Sequence, residues 1–316
     1  MRKSAKSKKI NIFKYINKKI LFIFFCLFLV LAIGYKIEFF PKTPIYATER
    51  TTLLAKVSPS LVSLDENNVP IPPLKNDQVI FNGSRNTRRI ALTFDADMTP
   101  LMKNLLDSGR VKSYYNKKVI DVLNQTQTKA TLFLAGMWIE LYPQATKELA
   151  SNPLIELGNH SYSHPSFSGT CFGLGEIPLS KDAQEIAKTK ELLRTVAGVN
   201  DKFFRFPGGC YSKENLDIVK KEGLMVIHWD VAGEDGFNNY TESIERNVID
   251  NVRNGSIIVL HMNGAPNSPK TAEALPKIIS TLKEKGFVFV KVSELLNMDS
   301  LQPLSIRDFI KSDFGL

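Results

Sequence analysis

The sequence predicts an α/β domain of about seven βα units behind an N-terminal membrane segment. Three observations carry this. From about residue 86 onward, short apolar runs alternate with stretches of helical period. Residues 1–19 hold eight cations and no acid. An uncharged apolar run, Ile20 to Gly34, follows them directly.

The chain has 316 residues and a net charge of +9. That charge sits almost wholly in Arg2, Lys3, Lys6, Lys8, Lys9, Lys14, Lys18 and Lys19, which leaves the rest near neutral. Such a distribution is a topology signal rather than a substrate surface, so no nucleic-acid partner is expected. Ile20 to Gly34 is short for a bilayer span. Ile37, Phe39 and Phe40 extend it if Lys36 and Glu38 snorkel, which makes residues 20–40 the expected membrane contact. Cleavage after Gly34, with Ala32 and Gly34 as small residues, is the alternative. The expectation is a single-pass protein of the cell membrane with its domain outside the cytoplasm; cleavage would make it secreted.

Residues 41–85 are rich in Pro and Asn and show no sustained period, which reads as a stalk or irregular extension. The domain proper is expected over 86–316. Strands are expected at Ile90–Phe94, Ala130–Leu134, Ile155–Leu157, Phe203–Phe206, Met225–Trp229, Ile257–Leu260 and Phe287–Val290. All are short and apolar, as buried parallel strands are. Ala183, Ile186, Ala187 and Leu193 share one helical face, with Gly198 as a stop. Ile244, Val248 and Val252 share another, ahead of Gly255. Leu275, Ile278, Ile279 and Leu282 share a third, ahead of Gly286. A barrel and a doubly wound sheet both fit this pattern. The barrel is favoured because the chemically interesting residues all fall at strand C-terminal ends, which a barrel gathers on one face.

Five segments carry those residues. Thr93-Phe-Asp-Ala-Asp97 closes the first strand with two acids, which serve either chemistry or a turn. Asn159-His-Ser-Tyr-Ser-His-Pro165 spaces two imidazoles four apart, as one helical turn would place two metal ligands; capping or surface histidines are the plainer reading. Arg205-Phe-Pro-Gly-Gly209 puts an arginine before a tight turn. His228-Trp-Asp-Val-Ala-Gly-Glu-Asp235 follows the fifth strand, and His261 ends the sixth in Ile257-Ile-Val-Leu-His-Met-Asn263. Each is ambiguous alone; five in register with successive strands are hard to explain as structure only. Cys171 and Cys210 lie in the exported part, where they either pair or stay as buried thiols.

In this order the segments resemble the polysaccharide deacetylase family, also called the NodB-homology domain or carbohydrate esterase family four. The resemblance runs from about Arg89 to Leu296 and includes Lys129-Ala-Thr-Leu-Phe-Leu-Ala-Gly136 and Gly286-Phe-Val-Phe-Val290. It implies a distorted (β/α) barrel with fewer than eight complete units. It implies a divalent metal, with Zn²⁺ the default, and an N-acetylated polysaccharide of the cell envelope as substrate. Asp95 matches the catalytic base and Arg205 the arginine that orients it. His261 matches the catalytic acid and Asp235 the carboxylate that tunes it, with Asp230 as a substitute. His160 and His164 match the metal-binding histidines. Leu260 matches a wall of the acetyl pocket, and Gly208 and Trp229 fall on the substrate side.

Three positions depart from the family pattern. Ala96 stands where a metal-binding aspartate is usual, so either Asp97 supplies the carboxylate from one residue further on or the metal keeps the two histidines and extra water. Gly208 stands at an aromatic position, which widens the site. Gly236 stands where a tryptophan usually follows Asp235. Two other readings compete: a polysaccharide-binding protein with a decayed site, and a glycoside hydrolase that uses two carboxylates.

Overall fold

The structure is a computed structural model that describes residues 79–297. The basic tail, the apolar segment 20–40 and most of the extension lie outside the described residues. Among the described residues, no helix is long and apolar enough to cross a membrane.

The described chain forms a half-barrel of parallel strands wrapped by helices. The strands are β1 Arg89–Ala96, β2 Ala130–Leu134, β3 Ile155–Asn159, β4 Phe203–Phe204, β5 Met225–Val226, β6 Val231–Ala232, β7 Ile257–His261 and β8 Val288–Val290. Their order is β5-β4-β3-β2-β1-β7-β6, with β8 paired to the start of β1. Helices α1 Pro100–Asp107, α2 Lys117–Gln125, α3 Gly136–Leu141, α4 Pro143–Ser151, α5 Asp182–Ala197, α6 Lys213–Lys221, α7 Thr241–Ile249, α8 Thr271–Glu284 and α9 Val292–Leu295 occupy the connections and the end.

Strand β1 is the axis of the sheet. After Arg89 every residue is buried, and two faces can be told apart. Ile90, Leu92, Phe94 and Ala96 join the main core with Leu123 of α2 and Ile278 and Leu282 of α8. Ala91 belongs to a second cluster with Phe133, Phe203, Ile227 and Ile257, inside the half-barrel. The two-residue period of a strand therefore puts Ala91, Thr93 and Asp95 on the inner face and Ala96 on the outer one.

The seam beyond β5 is crossed by the chain ahead of β1. Ile80 donates to Val226 O and accepts from the His228 N–H, and the Gly83 N–H donates to Gly255 O. Residues 79–83 were expected in the extension, yet they pair with the sheet.

Local signals explain most element ends. Thr99 caps α1 by accepting from the Met102 N–H, with Pro100 at the first helical position. Ser212 and Asn215 form a capping box on α6. Gly198 adopts φ +68° and ends α5 where expected. The buried stripe of α5 is Asp182, Ile186, Thr189 and Leu193, whereas Ala183 and Ala187 are exposed. Alanine loses little at a wet surface, and Asp182 sits inside because Asn215 Nδ2 donates to it. The expected Met225–Trp229 strand stops at Val226, and the short β6 was not anticipated. Val252 lies beyond the end of α7.

Cys171 and Cys210 form a disulfide, with Cα atoms 6.1 Å apart and a sequence separation of 39. It joins the loop after β3 to the turn after β4. Closing a loop of that length stabilises by about 3–4 kcal/mol in the chain-entropy picture. Converting both cysteines to alanine is expected to lower urea stability by about 2–4 kcal/mol, provided the transition stays two-state. Neither thiol should label with a maleimide before reduction, and both should label after it.

Candidate active site

Asp95 and His261 are direct partners in the parallel register of β1 and β7. Side chains at paired positions on neighbouring parallel strands stand side by side on one face. The site grows around this pair.

Arg205 anchors the Asp95 side. It is fully buried, and its Nη1 donates to Asp95 Oδ1 at 2.7 Å and to Thr93 Oγ1 at 2.8 Å. Nε and Nη2 donate to the carbonyls of Ile227 and His228, each at 3.2 Å. The guanidinium lies 4.0 Å from the Phe133 ring centre. Burial pushes the Arg205 pKa down, and the Asp95 charge pulls it back. A guanidinium still keeps its proton.

Asp95 Oδ2 is left pointing at His160, 3.6 Å from Nε2. His160 follows β3, and its Nδ1 lies 2.8 Å from Arg205 O. A carbonyl can only accept, so Nδ1 carries the proton and Nε2 faces the cleft. Asp97 Oδ1 lies 3.5 Å from His160 Nε2 and 3.1 Å from His164 Nε2. Donor atoms of Asp97, His160 and His164 all fall within 4.8 Å of one another. Asp97 Oδ1 and His160 Nε2 are buried and make no hydrogen bond among the described residues. Orphaned buried lone pairs are costly unless something binds them, so this carboxylate and two imidazoles suit a divalent cation. Burial opposes the Asp97 charge, but the neighbouring His164 and His160 hold its pKa well below the usual carboxylate range.

The histidines do not share a helical turn, as their spacing suggested. Residues 160–164 form a loop in which Ser161 and His164 adopt φ +63° and +54°. Glu185 of α5 holds that loop, accepting from the N–H groups of Tyr162 and Ser163 and from the Ser163 hydroxyl. Strained backbone of this kind persists only where its surroundings over-determine it.

Ala96 faces the helical core, so the donor at the usual aspartate position comes from Asp97, one residue on. Asn263 fixes Asp97 from both sides: its Oδ1 accepts the Asp97 N–H and its Nδ2 donates to Asp97 O. Neither Asn263 nor Thr93 was singled out beforehand. Both sit two residues from a chosen one, Asn263 after His261 and Thr93 before Asp95, and same-face spacing could have found them.

On the other side, Asp235 is fully buried and binds His261 twice. Its Oδ1 lies 2.9 Å from Nδ1, and its Oδ2 accepts the His261 N–H at 2.8 Å. The Thr271 hydroxyl, another residue not anticipated, also donates to Oδ2. Burial alone would lower the His261 pKa; Asp235, with smaller help from Asp97 and Asp95, raises it to about 10. Asp230, the alternative partner, instead binds Arg85, Ser256 and the Ile257 N–H.

Three substrate-side expectations change. Leu260 is fully buried in the main core, one residue from His261 and so on the other face of β7; a Cβ on Gly233 would come within 2.3 Å of it. Gly208 does not open the site. A Cβ there would lie 2.5 Å from Cys171 Sγ, so the disulfide fills the space. Trp229 stacks on His228, with ring centres 4.0 Å apart, and lies against Gly209, where a Cβ would meet it at 2.7 Å. It braces the Pro-Gly-Gly turn. Burial lowers the His228 pKa, so this ring is neutral packing.

Comparison with known proteins fits this geometry. A sequence model described as polysaccharide deacetylase matches residues 82–227. A peptidoglycan-N-acetylglucosamine deacetylase of Bacillus cereus is 31% identical over 215 residues, which cover 68% of this chain and 70% of the relative. The crystal structure of a peptidoglycan N-acetylglucosamine deacetylase is 30% identical with a TM-score of 0.60, over 69% of this chain and 92% of that one. A carbohydrate esterase family four pseudoenzyme of Bacillus anthracis shares the fold, at 23% identity and a TM-score of 0.57, over 70% of each chain to within a point. The five ordered segments, the parallel half-barrel and these relatives agree: the chain belongs to the polysaccharide deacetylase family and is a hydrolase of that class.

Proposed function

We propose that this protein hydrolyses N-acetyl groups on a cell-envelope polysaccharide, releasing acetate and leaving a free amine on the sugar. The observation that carries the proposal is the side-by-side pairing of Asp95 and His261, each with its own buried partner, next to an Asp/His/His donor group.

An amide is a poor electrophile, and its leaving nitrogen needs a proton. Asp97, His160 and His164 would hold a divalent cation, which would supply Lewis-acid polarisation of the amide carbonyl, and two nitrogens with one oxygen suit Zn²⁺. Arg205 engages Asp95 Oδ1, which leaves Oδ2 to take the proton of the attacking water as its oxygen bonds to the acetyl carbon. His261 binds Asp235 through Nδ1, so Nε2 gives its proton to the sugar nitrogen as the C–N bond breaks. A pKa of about 10 keeps His261 protonated at neutral pH, ready to act as the acid. The glycosidase alternative loses its second carboxylate, because Asp235 is committed to His261 and Thr271.

The polymer we favour is peptidoglycan or another N-acetylglucosamine glycan. Support comes from the relatives that are peptidoglycan deacetylases and from the cationic, apolar N-terminal segment. In this reading residues 20–40 hold the protein in the cell membrane and residues 86–316 work outside the cytoplasm, with 79–85 part of the same fold.

Three outcomes test the proposal. Acetate release from N-acetylglucosamine oligomers should need a divalent metal and should fall by more than about 10³-fold in Asp95→Asn and in His261→Ala. Failure of the wild-type chain to release acetate with any metal, while folded, would overturn it. Asp235→Asn should move the alkaline limb of the rate profile to lower pH by more than about one unit, because it removes the charge that holds the proton on His261. Asp97→Ala should lose bound zinc by elemental analysis. Adding Ala96→Asp should not restore it, because that side chain faces the apolar core.

A further inference from the structure

Phe172 and Phe237 are among the most exposed large apolar residues described, at 69% and 73%. They come from different loops, Phe172 from the loop after β3 and Phe237 from the loop after β6, yet their rings meet at 5.4 Å with a 35° tilt. Both sit against the site. The position a Cβ would take on Gly236, the neighbour of Phe237, is 3.5 Å from the His261 ring. The corresponding position on Gly208 is 3.1 Å from Phe172.

Phe172 is also held there at a cost. It follows the disulfide-bonded Cys171 in a tight turn closed by Leu174 N–H to Cys171 O. Both central residues of the turn, Phe172 and Gly173, have positive φ, +47° and +76°. Glycine tolerates that region; an aromatic residue does not relax into it, and asparagine or glycine is the usual choice. With most of its ring in solvent, packing does not explain the choice. A contiguous exposed apolar pair beside a cleft marks a binding surface.

We infer that Phe172 and Phe237 form a sugar-stacking platform, which takes the apolar face of a pyranose ring next to the residue being deacetylated. The C–H face of a pyranose complements the negative face of an aromatic ring. The platform sits beside the two glycines, 208 and 236, and the disulfide that fills the space over Gly208 also carries Phe172. This inference rests on the deacetylase reading and adds the element that selects chain length.

The test uses the full-length chain with Phe172→Ala, Phe237→Ala and the double variant, beside a Phe→Tyr double variant that keeps both rings. Calorimetry measures binding of the N-acetylglucosamine hexamer and monomer, and acetate release gives kcat and KM on both. The double alanine variant should bind the hexamer about tenfold more weakly and raise its KM about tenfold, with kcat and the monomer rate within about twofold, while the tyrosine variant behaves as wild type. Unchanged hexamer affinity and KM would overturn the platform. So would equal losses on hexamer and monomer, or a wild-type chain that binds no oligomer. If the wild type binds the hexamer but releases no acetate, the deacetylase reading fails alone, and the binding arm still decides the platform.

Discussion

The buried ion pair between Arg205 and Asp95 is the constraint around which the barrel interior is arranged. A guanidinium taken fully out of water is tolerable only if its donors are met, and here three elements meet them: Asp95 and Thr93 of β1, the carbonyls after β5, and the face of Phe133 on β2. The arginine in turn offers its own carbonyl to His160. One side chain therefore aims the carboxylate, sets the tautomer of a neighbouring imidazole and ties β1 to β4 and the chain after β5. Deleting either partner leaves an uncompensated buried charge, which costs about 3–5 kcal/mol. Function and stability are coupled at this point.

Much of the site was legible because strands have a period of two. Thr93, Asp95 and Asp97 share one face by counting alone, as do His261 and Asn263, and register then brings the two sets together. The same count explains why alanine is acceptable at 96: that side chain enters a layer of Leu, Ile and Phe where a carboxylate would be unpaired. Fold class was legible for a related reason, since β1, β2 and β7 are mostly apolar and almost wholly buried, as covered parallel strands must be.

What the sequence concealed depended on contacts distant along the chain. The loop that carries His160 and His164 looks helical by spacing, but Glu185, more than twenty residues on, dictates its path. Gly208 looks like open space until the disulfide arrives from the loop after β3. Leu260 reads as a pocket wall beside His261, yet alternation sends it into the core. Strand β6 is two residues long, too brief for any periodic signal. A partner residue's identity is local information; which void it fills is not.

The segment at residues 79–83 gives the fold an unusual entry. It laces the seam between β5 and the turn before β7, through Ile80 and Gly83, before the chain turns into β1. The smallest piece able to fold alone thus begins upstream of the first long strand. A chain cut at residue 86 would lose the bond to the His228 N–H and uncover Ile227, unpicking the wall behind Trp229 and the arginine it shields. Residues 79–83 are therefore part of the barrel wall itself, and a pull on them would load the interior around Arg205.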